Sequence, residues 1–212
     1  MKGYVTPLVV FIMFSALHSI AQNPKIISDF TVVYDVTLDD KADPQIVKAM
    51  TGATKTLYIK GSKSRSELVS TNFQQSVIFD AKSDSTVVLR EVGSTRYISF
   101  LNSHKRNEVN KKYEGISFMN TGETKTILGY ECKKVLAKLK DGSTFNVYYT
   151  SSIIPLNREY EYQFKDLPGF VLEYEAEAES GKVKVKYSAS KITLSPVSSA
   201  KFDVPKAGYR VL

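Results

Sequence analysis

From residue 26 onward, apolar and polar residues alternate with a period of two over most of the chain, the pattern of strands that bury one face. FTVVYDVTL puts Phe30, Val32, Tyr34, Val36 and Leu38 on one side and Thr31, Val33, Asp35 and Thr37 on the other, predicting a long first strand. The alternation stops at DDKADPQIVKAMTGAT. There Asp43 suits an N-cap, Pro44 the first helical position and Gly52 the stop, so one short helix is expected, with Ile46, Val47 and Met50 inward. Short strands are expected next at 56–60, 66–70, 76–80, 86–91 and 96–101, separated by Asp, Ser, Gly and Lys in turns.

NSHKRNEVNKKYEG (102–115) breaks the pattern again and reads as a second helix or a long loop, ended by Gly115. Strands resume in GETKTILG, YECKKVLAKL and STFNVYYT, and Asp141-Gly142 marks a hairpin between the last two. FVLEYEAEAESGKVKVKYSAS carries the clearest register. A turn at Ser180-Gly181 sets Glu179, Glu177 and Glu175 opposite Lys182, Lys184 and Lys186 on one face. It sets Leu172, Tyr174, Ala176 and Ala178 opposite Ala189, Tyr187, Val185 and Val183 on the other. A slip of one residue would bury the charges, so the register is fixed. Together these elements predict a mainly β fold: an antiparallel sheet of ten or eleven strands with one or two short helices. A sheet of that size curls or closes.

The first residues change the picture of where this sheet works. Lys2, an apolar run from Leu8 to Phe14, and the small residues Ser19 and Ala21 have the order of a secretory signal cleaved after Ala21. The run is shorter than the roughly 18–20 residues needed to span a membrane, so no transmembrane segment is expected after cleavage. No cysteine lies near Ala21, which argues against a lipoprotein anchor there. Residues 22–212 are expected to form one domain, exported to the periplasm or secreted. That portion carries 28 Lys and Arg against 22 Asp and Glu, a net charge of +6. The charges are interleaved, so nucleic acid is not an expected partner. Anionic headgroups or an envelope surface are the candidates, beside a simply solubilising role.

Candidate chemistry is sparse. Zinc sites need several His or Cys ligands, and residues 22–212 offer one of each, His104 and Cys132. LDDKADP lacks the spacing of a calcium loop. Cys132 lies mid-strand between Glu131 and Lys133, the setting of a small packed residue rather than a nucleophile; paired with His104 it is the one residual route to a thiol enzyme. SASK (188–191) and SSAK (198–201) lack a KTG partner, no GxSxG elbow occurs, and no GxGxxG or P-loop is present. Glu173, Glu175, Glu177 and Glu179 face lysines and read as structural ion pairs, not as a glycosidase acid and base. No catalytic residue, metal or cofactor is therefore expected, and the protein reads as non-enzymatic.

The apolar face remains. Twelve Tyr and nine Phe lie after residue 21, either filling an ordinary core or lining a groove that a curved sheet leaves open for an acyl chain. The candidate ligand-contacting residues are Phe30, Val32, Tyr34, Val36, Leu172, Tyr174, Val185 and Tyr187. The rival reading is a structural or interaction module without a cavity, docking on an envelope protein through a sheet edge or the basic 104–112 segment.

KTILGYECKKV (125–135), NVYYT (146–150), FKDLPGFVLEY (164–174) and FDVPKAGYRVL (202–212) together resemble small exported proteins of Gram-negative envelopes akin to the GLPGLI family. The ending looks like that of lipoprotein-carrier (LolA/LolB-like) domains. The resemblance implies a LolA-like antiparallel half-barrel closed by helices over a cavity for a lipid or lipoprotein acyl chain. The matching residues are Gly129, Tyr130, Cys132, Lys133, Leu167, Pro168, Gly169, Pro205 and Gly208. All read as strand and turn determinants, with Pro168-Gly169 suited to a type II turn, Gly129-Tyr130 to a strand start and Gly208 to a tight closing turn. The sequence has DLPGF where that family repeats Gly-Leu, and residues before 121 lie outside the resemblance.

Overall fold

The computed structural model describes residues 23–39, 42, 44–71, 73–177 and 183–212. The proposed signal, the Asp43 cap, the Ser180-Gly181 turn and the pairs Glu179/Lys182 and Ala178/Val183 involve positions outside the described residues. Along the first half run β1 (Lys25–Ile27), β2 (Asp29–Leu38), α1 (Pro44–Met50), β3 (Thr54–Lys60), β4 (Lys63–Val69), β5 (Phe73–Asp80), β6 (Ser85–Val92) and β7 (Thr95–Leu101). The second half holds α2 (Ser103–Val109), β8 (Ser117–Ile127), β9 (Tyr130–Lys138), β10 (Thr144–Thr150), β11 (Ile153–Pro155), β12 (Phe170–Glu177), β13 (Lys184–Thr193) and β14 (Arg210–Val211).

Twelve of these described strands form one sheet in the order β14-β7-β6-β5-β4-β3-β2-β13-β12-β10-β9-β8. All neighbours are antiparallel except β14, which joins β7 in parallel. The sheet is large, curved and unclosed, agreeing with the expected half-barrel. Two meanders meet at the β2–β13 seam, where Tyr34 pairs with Ala189 and Val36 with Tyr187. Among the described residues no helix is long and apolar enough to cross a membrane.

The predicted hairpin register holds: Tyr174 pairs with Tyr187, Glu175 with Lys186 and Glu177 with Lys184. Its ion pairs nevertheless run diagonally. Lys186 reaches Glu173 at 3.2 Å and Lys184 reaches Glu175 at 3.9 Å, because long lysines span the diagonal as easily as the direct step. Lys125 of β8 also reaches Glu173, at 2.6 Å. Burial alone would raise the Glu173 carboxyl, but hydrogen bonds from Lys125 and Lys186 outweigh it and hold that group below its ordinary value.

Other expectations are corrected. Fourteen described strands replace ten or eleven, partly because β1 and β11 pair in parallel as a separate two-stranded sheet; segments of three residues are too short to show a period. Val47 is 42% exposed rather than inward. Segment 102–115 resolves into α2, whose Asn102 side chain accepts from the Lys105 backbone N–H at 3.0 Å, followed by a short 3-10 turn. Gly129 does not start a strand. It sits with Leu128 in the β8–β9 turn, both at positive φ (81° and 51°), the conformation of a tight hairpin turn. Gly169 does not have the positive φ that a type II turn requires there. It is needed instead because a Cβ would collide with the carbonyl of Thr150 where β12 leaves β10.

The main core lies on the concave face of β2, β3, β10, β12 and β13. It is capped, rather than by the α-helices, by the stretch between β11 and β12, which includes the short 3-10 helix Tyr162–Phe164, through Tyr160, Phe164 and Leu167. Phe30 and Phe170 meet edge to face at 4.9 Å. A second, smaller core lies on the opposite, convex face, where Ile78, Leu89 and Ile98 are covered by Val197 and Phe202.

Candidate functional site

Three rows of cross-strand pairs explain where the concavity is filled and where it is open. The first row runs Phe30, Ile59, Ser64, Phe79, Thr86, Leu101, and the second Val32, Leu57, Ser66, Val77, Val88, Ser99. The third runs Tyr34, Lys55, Leu68, Gln75, Arg90, Tyr97. On β2 and β3 the first two rows carry large apolar side chains that are almost wholly buried. At β4 both step down to serine. Ser64 meets the covering segment only through its hydroxyl, which donates to the Tyr160 carbonyl at 3.4 Å, Ser66 is too short to fill the space beneath it, and from β4 to β7 the concave face is left open.

The resulting groove has a volume of about 520 Å³, within the roughly 300–1,000 Å³ usual for ligand pockets. Its floor is apolar at Val77, Val88, Phe79 and Leu101. Its walls come from α2 and the following turn (Arg106, Val109, Tyr113) and from Tyr160, Glu161 and Tyr162 of the covering segment. Leu212 adds to the lining beside β7.

Two ion-pair systems hold the walls. Arg106 donates to Glu159 and Asp84, both at 2.9 Å, and lies 4.3 Å from the centre of the Phe79 ring, which joins α2 to the covering segment and to the β5–β6 turn. Lys55 projects from β3 into a box of Tyr34, Tyr174 and Tyr187, each ring centre within 5.9 Å, and pairs there with Glu161. Its ammonium also donates to the Tyr174 hydroxyl. Burial pushes the hydroxyls of Tyr34, Tyr160 and Tyr174 well up and that of Tyr187 up to about 12. Thr86 Oγ1 and Arg106 Nε are buried at the α2 end without a hydrogen-bond partner among the described residues.

The sequence-predicted site residues are brought together, but not in this groove. Phe30, Val32, Tyr34, Leu172, Tyr174 and Val185 are buried and Val36 and Tyr187 half-buried. None lines the groove; Tyr174 borders only a recess of about 20 Å³. The side chains are large enough to meet their cover, as in the edge-to-face contact of Tyr174 with Phe164 of the covering segment at 4.9 Å. The lining on β4–β7 was missed because its inward positions are half polar. The signal available was the strand KSRSELV, which alternates without an apolar side until Leu68.

Cys132 is wholly buried in β9, as its mid-strand position implied, and burial pushes its thiol up to about 11. His104 lies on the exposed side of α2, 3.7 Å from Glu108. Among the described residues no three His, Cys, Asp or Glu side chains converge.

Fold and groove define a β protein with one large open sheet whose concave face is half core and half pocket. The chain belongs to the DUF4412 family, a domain of unknown function, which matches residues 45–163. That span includes every groove-lining residue except Leu212. The match does not confirm the GLPGLI group that the C-terminal motifs resemble. No curated protein matches the chain in sequence. Among solved structures it is similar to PNGF-II, with a TM-score of 0.50 and 15% identity over 87% of this chain and 32% of that one. The chain thus spans about a third of that protein, and the likeness concerns the fold alone. MucB (TM-score 0.44, 9% identity, 84% of this chain and 58% of that one) and a beta-barrel-like DUF1849 protein from Brucella abortus (0.38, 11%, 80% and 99%) are more distant.

Proposed function

We propose that this protein is a non-enzymatic, exported envelope protein that binds an apolar ligand, a lipid acyl chain or a lipidated partner, in the β4–β7 groove. The observation that carries the reading is the step from Ile59 and Leu57 to Ser64 and Ser66 across the β3–β4 pair, which opens a groove over an apolar floor. The signal-like pattern of residues 1–21 supports export. The buried, protonated thiol of Cys132 and the exposed position of His104 favour binding over thiol catalysis.

Native mass spectrometry on protein purified from its own membranes tests the reading. A co-purifying lipid is expected, and Ser66→Phe, which fills the groove, is expected to lose it while keeping the fold. A lipid-free wild-type protein that also fails to take up an added acyl chain sinks it.

A second reading rests on β8, eleven residues long and last in the sheet, with an open outer edge among the described residues. An edge of that length is a template for another strand. In that case Thr126→Pro in β8 abolishes capture of an envelope partner, and Ser66→Phe leaves capture unchanged.

A further inference from the structure

Among the described residues, every charged side chain that lines the groove is already engaged. Arg106 stands at the α2 end over the Phe79 ring, and its two Nη atoms donate to Glu159 and Asp84, both at 2.9 Å. One cation shared by two carboxylates leaves that end with a net charge of −1. Glu161 is paired with Lys55, while Arg90 donates twice to the amide oxygen of Gln75 and has a further interaction besides. The neutral lining has a different character. Ser66, Val77, Val88 and Ser99 form one row from β4 to β7, so a hydroxyl stands on each side of an apolar pair. A hydroxyl can donate to a carbonyl oxygen, which brings no charge with it. A free carboxylate reaches the α2 end only against two like charges, and a charge taken out of water without a partner costs far more than a neutral polar group.

Resting on the groove reading above, we infer that the groove selects acyl chains whose carboxyl is held in an uncharged ester or amide and discriminates against the free fatty acid, with Asp84 and Glu159 as the residues that set this preference. The chain lies over Val77, Val88 and Phe79, and the hydroxyl of Ser66 or Ser99 receives its carbonyl. Asp84 and Glu159 act by occupying Arg106, whose planar guanidinium would otherwise offer a carboxylate a two-pronged partner. Specificity then comes from a repulsive element as well as an attractive one. Asp84 sits at φ 48° in the β5–β6 turn, a conformation that Asn also adopts, so Asp84→Asn removes the charge and spares the turn.

The test measures binding of methyl dodecanoate, dodecanoate and dodecylamine to the purified full chain below their aggregation limits, by displacement of a neutral fluorescent acyl probe at neutral pH. The wild type is expected to bind the ester about tenfold or more tightly than either charged probe. The ester is also the more apolar molecule, so Asp84→Asn, Glu159→Gln and the double variant carry the decision. Across them the charge around Arg106 steps from −1 to 0 to +1, and the ratio of dodecanoate to ester affinity is expected to rise about threefold or more at each step. Each single variant keeps one carboxylate on Arg106, and circular dichroism checks the fold of all three; the single variants alone decide if the double variant unfolds. A ratio that stays flat overturns the assignment to Asp84 and Glu159. Dodecanoate or dodecylamine binding the wild type as tightly as the ester overturns the selectivity. Either result leaves the groove reading standing, whereas failure of all three probes on the wild type overturns both.

Discussion

Lys55 on β3 and Glu161 on the covering segment form an ion pair in which each side chain keeps only 10% of its exposure, 106 residues apart in the chain. Removing one partner leaves the other charge buried and uncompensated. Lys55→Met is therefore expected to destabilise the protein by about 3–5 kcal/mol, measured by urea unfolding. The double variant Lys55→Met, Glu161→Gln is expected to recover a large part of that loss. If the single and double variants unfold alike, the pair does not hold the cover.

The tyrosines of the same box make stability sensitive to alkali. Burial raises the folded-state values of Tyr34, Tyr174 and Tyr187, the last to about 12, above the ordinary value of 10. A raised folded value means the neutral form is favoured on folding. The stability this contributes is complete below pH 10 and drains away as pH rises from about 10 toward 12. Tyrosine ionisation followed by ultraviolet absorbance is expected to rise together with loss of the β-sheet circular dichroism signal in that window. Ionisation of these rings with the sheet intact would contradict it.

Gly169 is irreplaceable for reasons of space. Its Cβ would meet the Thr150 carbonyl and the Tyr149 ring, backbone and core groups that cannot swing aside. Gly169→Ala is expected to cost about 1–3 kcal/mol. Gly52 has a φ of 70° but open space around it, with nothing within 4 Å of where a Cβ would stand. It is expected to tolerate Asn with little loss, as judged by thermal melting of both variants.

Leu128 is the converse case, a bulky residue at φ 51° that is 42% exposed. The left-handed region costs an L-residue about 1–2 kcal/mol, and Asn less. Leu128→Asn is expected to raise stability by about 1 kcal/mol, read from the shift in denaturation midpoint. A loss would mean that the Leu128 side chain has a packing role.

Legibility in the sequence followed contact distance. The β12–β13 hairpin was readable to the residue because its charges and its turn lie close together along the chain, and local register follows from alternation alone. The burial of Cys132 was readable from its strand neighbours. The groove was not, because its existence depends on Ser64 and Ser66 facing a cover that arrives far later in the chain. The same holds for Lys55, which a strand pattern begun at residue 56 leaves outside and which only Glu161 makes tolerable in the interior. The LPG stretch was seen as a turn, yet its glycine answers to a strand already laid down at Thr150.

The small convex core has a mechanical meaning. Ile78, Leu89 and Ile98 belong to the same strands that floor the groove, and Val197 and Phe202 clamp them from behind, with Lys60 and Arg65 tied to the carbonyls of Val197 and Lys201. A wall braced on its outer side resists buckling inward where its inner side is not packed by core side chains. The C-terminal stretch thus acts as a buttress behind the open half of the sheet.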